Sequence, residues 1–143
     1  MPLKEVESEV LKYHAYVKWR GNVQSEVTIR HFNLVVDTKT DGNDEGPNPT
    51  EVLLAAIGGC MIVNYGRLSR KMNLKIESIE IDIDAERPKM KAKVTKIKYK
   101  IRIRSNESYE KLERLKELVE RNGTVFNTIK EGTEIVGNLE VVK

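Results

Sequence analysis

The sequence is poor in the residues that usually announce chemistry. Among 143 residues there is one cysteine, Cys60, and there are two histidines, His14 and His31. A lone cysteine excludes an intrachain disulfide, and one cysteine with two histidines lacks the ligands of an ordinary Cys/His zinc site. The apolar run Val52–Val63 is the longest without interruption and falls well short of a bilayer span. The opening Met-Pro-Leu-Lys-Glu-Val-Glu-Ser-Glu has no apolar signal region, so a cytoplasmic protein without a membrane partner is expected. A net charge of +3 is too small to indicate a nucleic-acid partner by itself. The loop Asp41-Gly-Asn-Asp-Glu-Gly46 faintly echoes an EF-hand, but Val52 stands where the bidentate glutamate is needed, which rejects calcium. Neither a metal nor a cofactor is expected.

What is present describes a soluble globular chain, 33% charged and 39% hydrophobic, of a length that suits one domain over residues 1–143. Heavy use of Lys, Glu, Ile and Val beside a single Gln hints at a thermophilic source. Alternating patterns over 11–20 and 23–30 around Gly21-Asn22 predict a hairpin, and 32–38 a third strand. After a polar loop, Asn48, Pro49 and Glu51 spell a helix start with a capping box. From Val52 to Val63 that helix is apolar or small on every face, which predicts an interior position. Alternation over 76–104 predicts two strands with Ile79, Ile81 and Ile83 on one face of the first and Ile97, Tyr99, Ile101 and Ile103 on one face of the second. Their other faces are acidic and basic respectively, as antiparallel partners would be. A helix over 107–121 with a stop at Asn122-Gly123, a helical turn near 124–130 and a last strand near 133–142 complete an α+β chain of mainly antiparallel pairing.

Cys60 is the main chemical candidate. It follows Gly58-Gly59 in mid-helix, where two glycines cost roughly 1–2 kcal/mol against alanine, so a close approach of backbone or ligand should compensate. A buried packing thiol between closely packed helices is the plainer explanation. A reactive thiol needs a lowered pKa, and Arg20 and Arg30 at strand ends are the candidate cations, with Glu51 to orient one of them. Solvated strand ends explain the two arginines better, and a capping box explains the glutamate at least as well. The stretch 87–104 holds nine Lys/Arg and no acid, yet its one aromatic, Tyr99, points to the apolar face, which argues against nucleic-acid binding.

The run Gly46-Pro-Asn-Pro-Thr-Glu-Val-Leu-Leu-Ala-Ala-Ile-Gly-Gly-Cys60, preceded by Leu34-Val-Val-Asp37, resembles the signature of the OsmC/Ohr superfamily. The resemblance implies an OsmC-like fold in which mainly antiparallel sheets wrap around a buried central helix. It also implies an intertwined homodimer with active sites at the subunit interface. Catalytic members are thiol peroxidases that reduce organic hydroperoxides through a peroxidatic cysteine, a resolving cysteine, an arginine and a glutamate, drawing on a thiol reductant. Cys60 matches the peroxidatic position. The resolving motif, Cys-Pro-Val with Asn-Thr-Leu shortly after, is matched by Gly123-Thr-Val-Phe-Asn-Thr-Ile129, which lacks both the cysteine and the proline. The glutamate position falls on Thr50 with Glu51 one place away, and Arg20 lies in roughly the arginine's region. The resemblance therefore implies a one-cysteine peroxidase using Cys60, Arg20 and Glu51 with an external thiol reductant. The alternatives are a non-catalytic protein holding a small apolar or thiol ligand at the dimer interface and, less favoured, nucleic-acid binding through the 87–104 face.

Overall fold

The computed structural model describes residues 9–142 and divides the chain into two compact units with the boundary after Val52. In the first unit, β1 (Tyr16–Trp19), β2 (Ser25–Ile29) and β3 (Phe32–Val36) form an antiparallel meander. The turn between β1 and β2 is built as the residues dictate. Gly21 and Asn22 both take positive φ, and the Trp19 indole N–H donates to the Asn22 carbonyl at 2.7 Å. Register explains why β1 is shorter than the predicted 11–20. Tyr16 pairs with Thr28 and Ile29 already faces Phe32, so residues 11–14 would run beyond the end of β2.

β3 ends at Val36 because the next side chain takes over. Asp37 is buried, and its carboxylate accepts from the backbone N–H groups of Thr38 at 2.7 Å and of Asn43 and Glu45 at 3.2 Å, and from the Gln24 amide at 3.1 Å. The calcium-like loop thus closes around this protein carboxylate. A Cβ on Gly42 would lie 2.3 Å from the Asp37 carboxylate and 2.2 Å from the Thr38 carbonyl, so only glycine allows that closure.

Helix α1 (Pro49–Lys71) begins with the predicted capping box: the Glu51 N–H donates to the Asn48 side chain and the Asn48 N–H to the Glu51 carboxylate, each at 2.9 Å. By length and composition alone α1 could cross a bilayer; instead Ile57, Met61 and Tyr65 are buried in the core of the second unit, with Leu115 and Val119. Around them pack the apolar faces of β4 (Ser78–Glu86) and β5 (Lys96–Arg104), paired antiparallel with Ile81 opposite Ile101 and Ile83 opposite Tyr99. Helix α2 (Tyr109–Asn122) is capped by Ser108, whose hydroxyl accepts from the Lys111 N–H at 3.3 Å, and α3 (Thr124–Glu131) follows at once.

Two expectations change. The predicted strand over 133–142 does not form: these residues lie outside any ladder and are exposed, because a strand exists only where a neighbour takes up its backbone groups. The helix stop at Asn122-Gly123 forms as expected; Gly123 makes it in an extended conformation, with φ −77°, and joins α2 to α3. The all-round burial of α1 is one-sided in a single chain, with Ala55, Gly59, Ile62, Val63 and Gly66 exposed.

Candidate functional site

Cys60 lies in the middle of α1, half-buried, three residues after Ile57 and one before Met61, the two core anchors that fix its direction. One turn further on, the Asn64 amide donates to the Cys60 carbonyl at 3.0 Å and points at the thiol sulfur from 3.8 Å, a long and weak contact. The two glycines before the thiol have different work. A Cβ on Gly58 would come within 3.1 Å of the Ile83 side chain, so Gly58 lets the sheet lie close against the helix. A Cβ on Gly59 would meet nothing within 4 Å.

The second partner of the thiol is a position without a side chain. Gly123 is buried, and a Cβ built on it would stand 3.7 Å from the Cys60 sulfur, as well as 3.0 Å from the Phe126 Cβ and 3.3 Å from the Val119 carbonyl. Cysteines joined by a disulfide have Cβ atoms about 3.8 Å apart, with each Cβ closer still to the opposite sulfur. Residues 60 and 123 are therefore neighbours in van der Waals contact, wider than a formed disulfide, and residue 123 brings no sulfur of its own.

The other sequence-predicted residues have partners of their own. Arg20, in the first unit, is 3.5 Å from Glu26, and both side chains are substantially exposed. Arg30 has positive φ and sets its guanidinium 5.0 Å from the Phe32 ring centre. Glu51 is in the capping box, in the first turn of the helix that carries Cys60 in its middle. On the 87–104 face, the outward residues of β5 stand opposite the acids of β4. Arg102 reaches Glu80 at 3.3 Å and Asp82 at 2.8 Å, and Lys98 reaches Glu86 at 3.7 Å. Among the described residues no group of three or more His, Cys, Asp or Glu is arranged to hold a metal.

Two groups beside the core escaped the sequence reading. Tyr99 donates to the Glu120 carboxylate, which Lys116 also contacts at 2.8 Å. Burial, and then that hydrogen bond, push the Tyr99 phenol up to about 12. Burial also works against ionised Glu120, but the hydrogen bonds from Lys116 and Tyr99 outweigh it and hold the carboxyl below its ordinary value. The i, i+4 spacing of Lys116 and Glu120 was legible; the cross-chain reach of Tyr99 was not. Asn64 was missed as well, although its place one turn after Cys60 is a readable signal.

Comparison with known proteins gives a family and a fold. The family model described as "OsmC-like protein" matches residues 42–136, well over half of the chain. A Bacillus subtilis (strain 168) protein known as uncharacterized protein YmaD is 32% identical over 75 residues, 48% of this chain; the chain thus spans half the length of that relative. Among solved structures, an OsmC-like protein from Mycoplasma pneumoniae superposes with a TM-score of 0.78 at 15% identity, covering 84% of this chain and 88% of the other. An organic hydroperoxide resistance protein from Elizabethkingia anophelis does so with a TM-score of 0.70 at 13% identity, covering 86% and 91%. At these identities the two structures speak for the fold.

Proposed function

Since the chain belongs to the OsmC-like protein family, we propose that it is a one-cysteine thiol peroxidase acting on organic hydroperoxides, with residues 1–143 as one domain of that family. The family match runs across the boundary between the two units, in keeping with one domain. The observation that carries the functional reading is the 3.7 Å approach of the Gly123 position to the Cys60 sulfur. The neighbourhood of a two-sulfur site is retained while the second sulfur is gone.

The chemistry then divides between this chain and a soluble thiol. The Cys60 thiolate attacks the terminal oxygen of the hydroperoxide, the O–O bond breaks, and the alkoxide leaves as the alcohol after taking a proton. Cys60 holds the transferred oxygen as a sulfenic acid, oxidised by two electrons. An external thiol attacks the sulfenic sulfur and water leaves, forming a mixed disulfide. A second external thiol releases Cys60 as the thiol and departs as a disulfide with the first. Arg20 is assigned to favour the thiolate and Glu51 to orient that arginine, the roles the family pattern gives to these regions.

The reading includes a cytoplasmic homodimer. Support comes from α1, whose Ile62 and Val63 are 41% and 48% exposed in one chain, and from the apolar 133–142 segment, where Ile135 is 93% exposed. Apolar surface of this extent is ordinarily covered by a partner. The second reading, a non-catalytic ligand-binding protein, is favoured by the fact that Arg20 and Glu51 already have structural partners.

Stopped-flow mixing of the reduced protein with cumene hydroperoxide and with hydrogen peroxide decides between them. Oxidation that is fast, prefers the organic peroxide and disappears in Cys60→Ser is expected. Reaction no faster than that of a free thiol establishes the non-catalytic reading.

A further inference from the structure

The second unit has a hollow of about 350 Å³ beside β5, bounded by Ile57, Ile83, Val94, Ile97, Phe126 and Ile129, with Thr95, Lys96, Tyr99 and Lys130 as its polar lining. Its walls are apolar side chains from the helix, both strands and α3, and its size is at the lower end of small-ligand sites. What sets it apart from a packing defect is the account of its polar groups. The Thr95 hydroxyl is turned to the Glu86 carbonyl at 3.4 Å, and the Tyr99 hydroxyl is committed to Glu120. That leaves two ammonium groups. Among the described residues, neither Lys96 nor Lys130 lies within ion-pair distance of a carboxylate, whereas Lys98, its neighbour on the same face of β5 as Lys96, does.

An ammonium donates and cannot accept. A ligand for this hollow must therefore have an apolar body and a polar end that only accepts, preferably a charged one. The surrounding charge agrees. Lys96 ends a loop that carries Arg87, Lys89, Lys91 and Lys93 with no acid between Glu86 and Glu107. Of the acids beside the lining, Glu86, opposite Lys96 in the ladder, is met by Lys98 at 3.7 Å, and Glu120 by Lys116 at 2.8 Å.

We propose that this hollow is a binding site for a carboxylate-headed acyl chain of short to medium length, with the chain among Ile57, Ile83, Ile97 and Phe126 and the carboxylate between Lys96 and Lys130. It is independent of the thiol chemistry: Cys60 is not part of the lining.

The test is calorimetric titration of the full chain with decanoate and with decan-1-ol. One saturable decanoate site per chain is expected, with the alcohol bound at least tenfold more weakly. Lys96→Gln and Lys130→Gln, both on the surface and harmless to folding, should each weaken decanoate by about tenfold, the scale of one charge-assisted hydrogen bond. Val94→Trp should abolish binding by filling the hollow. Cys60→Ser should leave it unchanged, so this proposal and the peroxidase reading fail separately. Absence of saturable binding overturns the proposal, as would be the case for a hollow covered by a second copy of the chain. So does binding that ignores both lysines and Val94→Trp, which would place decanoate on the exposed apolar face of α1.

Discussion

Asp37 shows how much one side chain organises here. Its carboxylate is buried among three backbone N–H donors and the Gln24 amide, and these bonds, led by that from Thr38, hold its pKa below the ordinary carboxylate value. A depressed folded-state pKa means stability that is present above the unfolded carboxyl's pKa and is lost as pH falls through the folded value. Thermal melts from pH 7 downwards should therefore show an acid-side loss beginning below about pH 4, and Asp37→Asn should flatten that loss while lowering the melting temperature at pH 7. A pH dependence identical in the variant would remove Asp37 from this role. The residue was legible only as part of a family-like Leu34-Val-Val-Asp37 string, since donors spread over Thr38, Asn43 and Glu45 meet only when the loop closes. Cys60 was legible for the opposite reason: it is the chain's only thiol. Gly123 was read as a helix stop and as an absent cysteine, and its closeness to the Cys60 sulfur needed the fold.

At the scale of elements, the strands and helices that could be read were those whose signals are local. The Asn48–Glu51 capping box, the Gly21-Asn22 turn and the alternation of β4 and β5 each place donors, acceptors or apolar groups within a few residues, and each formed as expected. The segment 133–142 has strand-like apolar content but pairs with no strand among the described residues, and sequence cannot supply one. In α1 the adjacent glycines are separable. Gly58 has a neighbour in Ile83 at 3.1 Å, whereas Gly59 has none within 4 Å among the described residues. Gly59→Leu should then leave the single chain folded and gain several tenths of a kcal/mol in helix propensity. If two copies meet over this face, the same substitution should dissociate them. Sedimentation equilibrium checks this: a dimer for the parent chain and a monomer for Gly59→Leu is the expected pair. A parent chain that is already monomeric contradicts the proposed dimer.

On the scale of the whole molecule, the proposed function sets a family fold beside half of a redox pair. The fold follows from antiparallel pairing and from a core in which Ile57, Met61 and Tyr65 of α1 meet Leu115 and Val119 of α2. The chemistry is proposed from one sulfur and the empty position beside it. The most direct test is intact-mass measurement of the parent chain and of Gly123→Cys after one equivalent of cumene hydroperoxide, with no reductant present. The parent should gain a single oxygen, trapped by a sulfenic-acid probe on Cys60. Gly123→Cys should instead lose two hydrogens as Cys60 and the new thiol join, despite some loss of stability from crowding Phe126. A parent chain left unoxidised, or a variant that gains oxygen without forming the disulfide, would contradict the reading of Cys60 and Gly123 as the two halves of one site.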